Sequence, residues 1–327
     1  MPWRMRATGG RSPRANQDRD ERYRMIFAWH FVAVAAVCML VVWPLARARW
    51  PWRAPGTGIL LWQALGLGWG LSVIGTALAV GLEPYGLGLL PGLARLGGDL
   101  TSGKLPAQVD IGRLGAVAAG LGVAAGLLGA LASCVVDVVA ARRRHRMLLA
   151  LVAHQDPSAP GALVLDHPVA AAYCLPGIRS QVVVSAGALR LLDRSQLAAV
   201  LSHEQAHARE HHDLVVLPFI ALRRALPRVG LVGDAVTAVS LLVEMCADDR
   251  ALREHAARPL VAALLRFGAE GPLAPPRGAL GAGEEVASRV LRLTDPRRRL
   301  PGLAKMLVIV VAALLVATPM SLFALPA

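Results

Sequence analysis

Charge is scarce in this 327-residue chain, where only 17% of residues are Asp, Glu, Lys or Arg. Aromatic residues make up just 5%. The 55% hydrophobic share therefore rests on Ala, Leu and Val, with 32 Gly among them, a composition of close-packed transmembrane helices rather than of an aromatic-rich soluble core. Cysteine is rare too. Cys38, Cys134, Cys174 and Cys246 are widely spaced, so no CxxC pair exists, which excludes a disulfide framework and a cysteine-based zinc site. Acidic residues are outnumbered 22 to 35, for a formal net charge of +13. Such an excess can signal nucleic acid, but here the basic residues gather at the edges of apolar runs, in "RARWPWR" (Arg47 to Arg53), "RRRHR" (Arg142 to Arg146) and "PRRR" (Pro296 to Arg299). Basic flanks of that kind set topology, and no direct nucleic-acid partner is expected.

What is present is a set of long apolar runs, with a mean hydropathy of +0.50. Residues 1–24 are polar and Arg-rich and read as a disordered basic tail. Residues 25–140 read as three transmembrane helices, at about 25–46, 58–82 and 114–140, each long enough to cross a bilayer. The third carries "GVAAG" (Gly122 to Gly126), whose small residues four apart predict close packing against another span. A loop of about thirty residues separates the second and third spans. Residues 303–327 hold a fourth span, about Lys305 to Leu322.

Residues 141–302 differ: charges are frequent and turn signals appear. "LVLD" (Leu163 to Asp166) and "QVVVS" (Gln181 to Ser185) read as strands, with "AAYCLPG" (Ala171 to Gly177) pairing between them. Asp193 or Ser195 caps a helix running to about His211, and further helices follow at about 214–225, 234–255 and 284–293. "GPLAPPRGALGAG" (Gly271 to Gly283) reads as a linker. The fold class expected is a mainly α membrane protein with four transmembrane helices and an inserted α+β module. With residues 47–57 facing the cytoplasm, the neutral loop 83–113 lies outside and the module inside, which satisfies the positive-inside rule at each basic cluster. That puts the N-terminal tail with its seven arginines outside, so that either the tail is tolerated there or the native start is Met25.

The module's chemistry centres on "LSHEQAHAREHHDL" (Leu201 to Leu214). His203 and His207 are four apart on a helix, about 6 Å along its axis, so both imidazoles can reach one zinc ion. Glu204 stands beside them as the catalytic base, placed to take a proton from a water that zinc has acidified. His211 is about 12 Å beyond His203 on an unbroken helix, too far to share its metal. His211 and His212 read as C-terminal helix residues favourable near the negative dipole end. The third metal ligand comes from "LLVEMCADDRA" (Leu241 to Ala251), where Glu244 and Asp248 are again four apart on an apolar helix. Buried carboxylates are costly unless paired or metal-bound. Glu244 completes a His2Glu set and Asp248 accepts from a ligand imidazole's outer N–H. The bland alternatives are a polar helix face for the histidines and a surface salt bridge for the two acids.

HExxH followed by about forty residues and ExxxD resembles the gluzincin membrane proteases, among them the HtpX and CAAX-prenyl-protease families and the BlaR/MecR antibiotic sensors. "AYCLPG", "VVVS", "LAAVLSHEQAHARE" and "EMCADD" fall in the order of the BlaR/MecR family, as does the layout of three spans, protease module and fourth span. The resemblance implies that His203, His207 and Glu244 bind Zn2+, that Glu204 is catalytic, and that the module is cytoplasmic with the C-terminus extracellular. It implies cleavage of a protein substrate, such as a BlaI/MecI-type winged-helix repressor. The alternatives are HtpX-like membrane-protein quality control, or a silent signalling scaffold with structural zinc. The sensors continue into an extracellular penicillin-binding domain, whereas this chain ends at Ala327, so β-lactam sensing is not carried over. "QVVVS" is the expected edge strand for a substrate, and Arg250, Arg253 and His255 are candidate oxyanion partners among which the sequence does not select.

Overall fold

Apolar helices dominate the computed structural model, which describes residues 13–177, 180–270, 282–295 and 299–324. In chain order these form α1 (Pro13–Arg47), α2 (Pro55–Leu82), α3 (Leu89–Ser102), α4 (Ile111–Val152), β1 (Ala153–Gln155), β2 (Ala162–Leu165), β3 (Ala172–Leu175), β4 (Gln181–Ser185), α5 (Ala186–Leu191), α6 (Arg194–Arg209), α7 (His212–Ala225), α8 (Gly230–Ala251), α9 (Ala257–Glu270), α10 (Ala282–Thr294) and α11 (Gly302–Ala324). Of the tail expected over 1–24, residues 1–12 lie outside the described residues and the rest is helical from Pro13. The expected linker lies outside them as far as residue 281.

Among the described residues, five helices are long and apolar enough to cross a membrane: Ala28–Arg47, Pro55–Tyr85, Ile111–Val152, Gly230–Ala251 and Gly302–Ala324. That makes this a membrane protein by length and composition. Four of the five fall on the stretches read as spans, and the fifth is α8, the helix of Glu244 and Asp248. The sequence reading places this helix, at about 234–255, in the module rather than among the four spans; by length and apolar composition it also qualifies as one.

Contacts divide the chain into two units, one of residues 1–40, 65–125 and 313–327, the other of 41–64 and 126–312. In the first, α2 and α4 come together at glycine. A side chain at Gly81 would sit 2.7 Å from the Arg113 carbonyl, and one at Gly120 3.2 Å from Ala77 and Leu78. The expected contact at "GVAAG" is corrected, since Gly122 and Gly126 have nothing within 4 Å of where a Cβ would be. Around this approach pack Phe31, Leu78, Leu82 and Val117, with Leu89 and Leu96 of α3. The sequence read α3 as loop, although Leu89, Leu93 and Leu96 recur at helical spacing.

In the second unit the sheet order is β1-β2-β4-β3, with β2 and β4 parallel and the outer pairs antiparallel. β4 is buried from Val182 to Ser185, as a strand covered on both faces should be. The order overturns two expectations: β3 does not lie between the other two, and "QVVVS" is not an edge. β3 is the edge. The reason is the parallel β2–β4 pair, which takes the place of a β2–β3 pairing and leaves β3 to add antiparallel on the other side of β4. Leu197, Val200 and Leu201 of α6 pack on Val164, Val182 and Val184 of this sheet, which fixes α6 beside it.

Candidate active site

α6 starts where its sequence says it should. The Asp193 carboxylate accepts from the backbone N–H of Ser195 (2.8 Å) and Gln196 (2.9 Å), while the Gln196 side chain accepts from the Asp193 N–H, a full capping box. With the apolar side of α6 on the sheet, His203, Glu204 and His207 fall toward α8, which packs against α6. His203 Nε2 lies 3.2 Å from His207 Nε2 and 3.2 Å from Glu244 Oε2, and His207 Nε2 lies 3.3 Å from Glu244 Oε1. The two imidazole Nε2 atoms and the Glu244 carboxylate, which turns one oxygen toward each, thus lie together, and this group could hold a metal ion. Tetrahedral ligands at zinc distances of about 2.0–2.1 Å stand roughly 3.3–3.4 Å apart, so the donor set has the residue types and close spacing that zinc takes.

The electrostatics favour a cation at that spot. Burial opposes a charge on His203, yet the Asp248 and Glu244 carboxylates outweigh it and hold the imidazole up at about 10. The cluster draws a proton to the point where a metal ion would satisfy the same demand. Burial pushes the Glu204 carboxyl above its usual range, against the pull of His203 and His207. A more basic carboxylate is a better proton acceptor near neutral pH.

Asp248 is fully buried and its Oδ1 lies 3.1 Å from His203 Nδ1. The sequence did not foresee what holds Asp248 there. Arg289 of α10, itself buried, donates to both Asp248 oxygens at 2.9 and 2.6 Å, and its third nitrogen stands 3.0 Å from Glu244 Oε2. A fork of this kind fixes a carboxylate in plane as well as neutralising it. Arg289 is 86 residues from His203 and sits on a short amphipathic helix, where an arginine reads as solvated. Arg250, Arg253 and His255 all lie elsewhere: Arg250 and Arg253 line a second cavity with Arg292 of α10, and none of the three joins the metal-ligand group.

The other two histidines need correction. α6 ends at Arg209, His211 takes a left-handed conformation (φ 49°), and α7 begins at His212. A helix break without glycine was not anticipated, because only Gly adopts that region without strain. The turn swings His212 back, buried, with its Nδ1 3.2 Å from His207 Nδ1 and its Nε2 3.2 Å from Glu210 Oε2. His212 is thus the outer partner of His207, not a dipole-end residue. Burial and the neighbouring His207 hold its pKa low, which keeps it neutral and able to accept. His211 is not in the metal-ligand group, although the helix is broken before it rather than continuous.

A cavity of about 400 Å³ opens over this cluster, lined by Glu204, His207 and Glu244 together with Tyr173 and Cys174 of the edge strand β3. Tyr173 is steadied by His145 Nε2, 2.8 Å from its hydroxyl. Compared with known proteins, residues 139–266 match the profile of Peptidase family M48. The matched stretch holds His203, Glu204, His207, Glu244 and Asp248 and supports a membrane-type zinc metallopeptidase, without reaching as far as the antibiotic sensors. Comparison with curated proteins and with solved structures gave no match.

Proposed function

We propose that the protein is a membrane-embedded zinc endopeptidase of gluzincin type, with His203, His207 and Glu244 as metal ligands, Glu204 as catalytic base and Asp248 as the partner that orients His203. One observation carries this: the donor groups of His203, His207 and Glu244 stand 3.2–3.3 Å from one another, and Glu204, His207 and Glu244 line one cavity with the edge strand β3. Zinc held there would supply a Lewis acid and acidify a water molecule toward neutrality. Glu204 would take a proton from the attacking water as its oxygen bonds to the peptide carbonyl carbon, and would pass that proton to the amine nitrogen as the C–N bond breaks. With Nε2 of His207 turned to the metal, its Nδ1–H donates to His212, which in turn donates to Glu210. Arg289 bridges the Glu244 and Asp248 carboxylates, offsetting their repulsion and orienting both. A substrate segment adds as a strand to β3, its scissile carbonyl over Glu204.

In this reading four helices cross the membrane and α8 belongs to the module, since a bilayer would make its buried acids expensive. The basic flanks favour a cytoplasmic module. The substrate is a protein, of which a BlaI/MecI-type winged-helix repressor is the case implied by the BlaR/MecR resemblance. The match to a peptidase family rather than a sensor favours a second reading, broad quality-control proteolysis of membrane proteins. Incubating the purified protein with membrane proteins and with a candidate repressor separates the two by the number of substrates cut. The central test is Glu204→Gln. Proteolysis should fall by about 10²–10⁴-fold while one zinc per chain is retained. Full activity in that variant would overturn the mechanism.

A further inference from the structure

A second cavity, of about 540 Å³, lies on the unit that holds the metal cluster but is built from different chemistry. Arg53, Arg250, Arg253, Arg292, Arg299 and Lys305 line it, against two acids, Glu210 and Asp249. Asp249 is taken by Arg292 at 2.6 Å, and Glu210 by His212 at 3.2 Å and Arg250 at 4.0 Å. Among the described residues, Arg53, Arg253, Arg299 and Lys305 have no acidic group within 4.0 Å. These four cations have no acidic partner among the described residues, and they face one concave space. The first turn of α2 faces it too, through Gly56 and Thr57. Pro55 has no N–H and Gly58 N–H is taken by the Ala54 carbonyl, so the N–H groups of Gly56 and Thr57 are the free donors of that turn. Gly56 leaves open space where a side chain would be. Guanidinium forks around two free backbone N–H groups make an oxyanion site, and phosphate suits it best.

Two apolar helices begin at this cavity, α2 at Pro55 and α11 at Gly302. Within about one turn of the lining residues, Leu60 of α2 and Leu303, Met306 and Leu307 of α11 are exposed. A ligand with a charged head and apolar tails is matched by that sequence of surfaces, whereas a free anion would use only the first. We propose that this cavity binds the phosphodiester headgroup of an anionic phospholipid, and so seats the basic face of the module at the membrane surface. The inference does not depend on Glu204 being catalytic.

The test uses the full-length protein in neutral detergent, with labelled dioleoylphosphatidylglycerol as probe and dioleoylphosphatidylcholine as its neutral counterpart. The protein should retain the anionic lipid in preference. The triple variant R53Q/R253Q/R299Q should weaken that retention roughly a hundredfold, while R143Q/R144Q/R258Q, which removes three exposed charges elsewhere, should leave it unchanged. R253Q alone, away from the span flanks, should weaken it about fivefold and serves if the triple variant misfolds. Equal loss in the two triple variants would reduce the effect to bulk charge and overturn the site. Release of the lipid by millimolar inorganic phosphate would show a free-anion site and overturn the lipid assignment.

Discussion

Two places on one unit hold arginine, the metal-ligand cluster and the basic cavity, and they treat it oppositely. At the metal cluster Arg289 is buried and every one of its donors meets a carboxylate or a ligand nitrogen. At the basic cavity Arg53, Arg253 and Arg299 are exposed and lack acidic partners among the described residues. The two guanidinium sets are joined by α10, where Arg289 serves the first and Arg292, three residues later, serves the second. Internal compensation marks charge spent on holding a site in shape. Uncompensated charge marks charge kept for something that arrives.

The comparison breaks most visibly at its buried member. Replacing Arg289 with Met strips the cation from Glu244 and Asp248 and should destabilise the unit by about 3–5 kcal/mol, whereas Arg253→Met should stay within about 0.5 kcal/mol. Denaturant melts of the two variants in the same detergent measure the contrast. Equal effects would mean that burial does not separate the two sets. Next in size, Asp248→Asn keeps the packing but removes the charge facing His203, and should loosen zinc about 10–100-fold in competition with a chromogenic chelator. His212→Phe fills the same space without an acceptor for His207 and should loosen zinc less, by about tenfold. An affinity unchanged in His212→Phe would detach Glu210 and His212 from the metal. The smallest effect belongs to the turn between α6 and α7. His211→Gly relieves a left-handed backbone and should raise stability by about 1 kcal/mol, seen as a higher Tm with zinc affinity unaltered.

What could be read from the sequence was whatever repeats along one helix. The i, i+4 spacing of His203 and His207 and of Glu244 and Asp248, and the capping residue Asp193, are local facts that survive any tertiary arrangement. Relations between elements were not readable. β3 became the edge only because β2 and β4 pair in parallel, which no stretch of sequence announces. α9 was passed over because its arginine and proline masked a regular apolar stripe. Arg289 had the composition of a surface residue, and only the fold brings it to the acids. His211 defeated a sound local rule, that a non-glycine residue avoids positive φ, because the contact of His212 with His207 outweighs the strain.

α10 also decides where the catalytic unit can be cut. The stretch matched to a peptidase family ends at residue 266, with all three donor residues already inside it. A fragment stopping there would carry Glu244 and Asp248 but not the guanidinium that lies between them. Two acids facing each other at an apolar helix surface would then hold apart the very groups that must converge. Anyone excising this module for crystallisation or for grafting onto another membrane anchor should place the boundary beyond Arg292, because the counter-charge belongs to the module even though the matched stretch leaves it out.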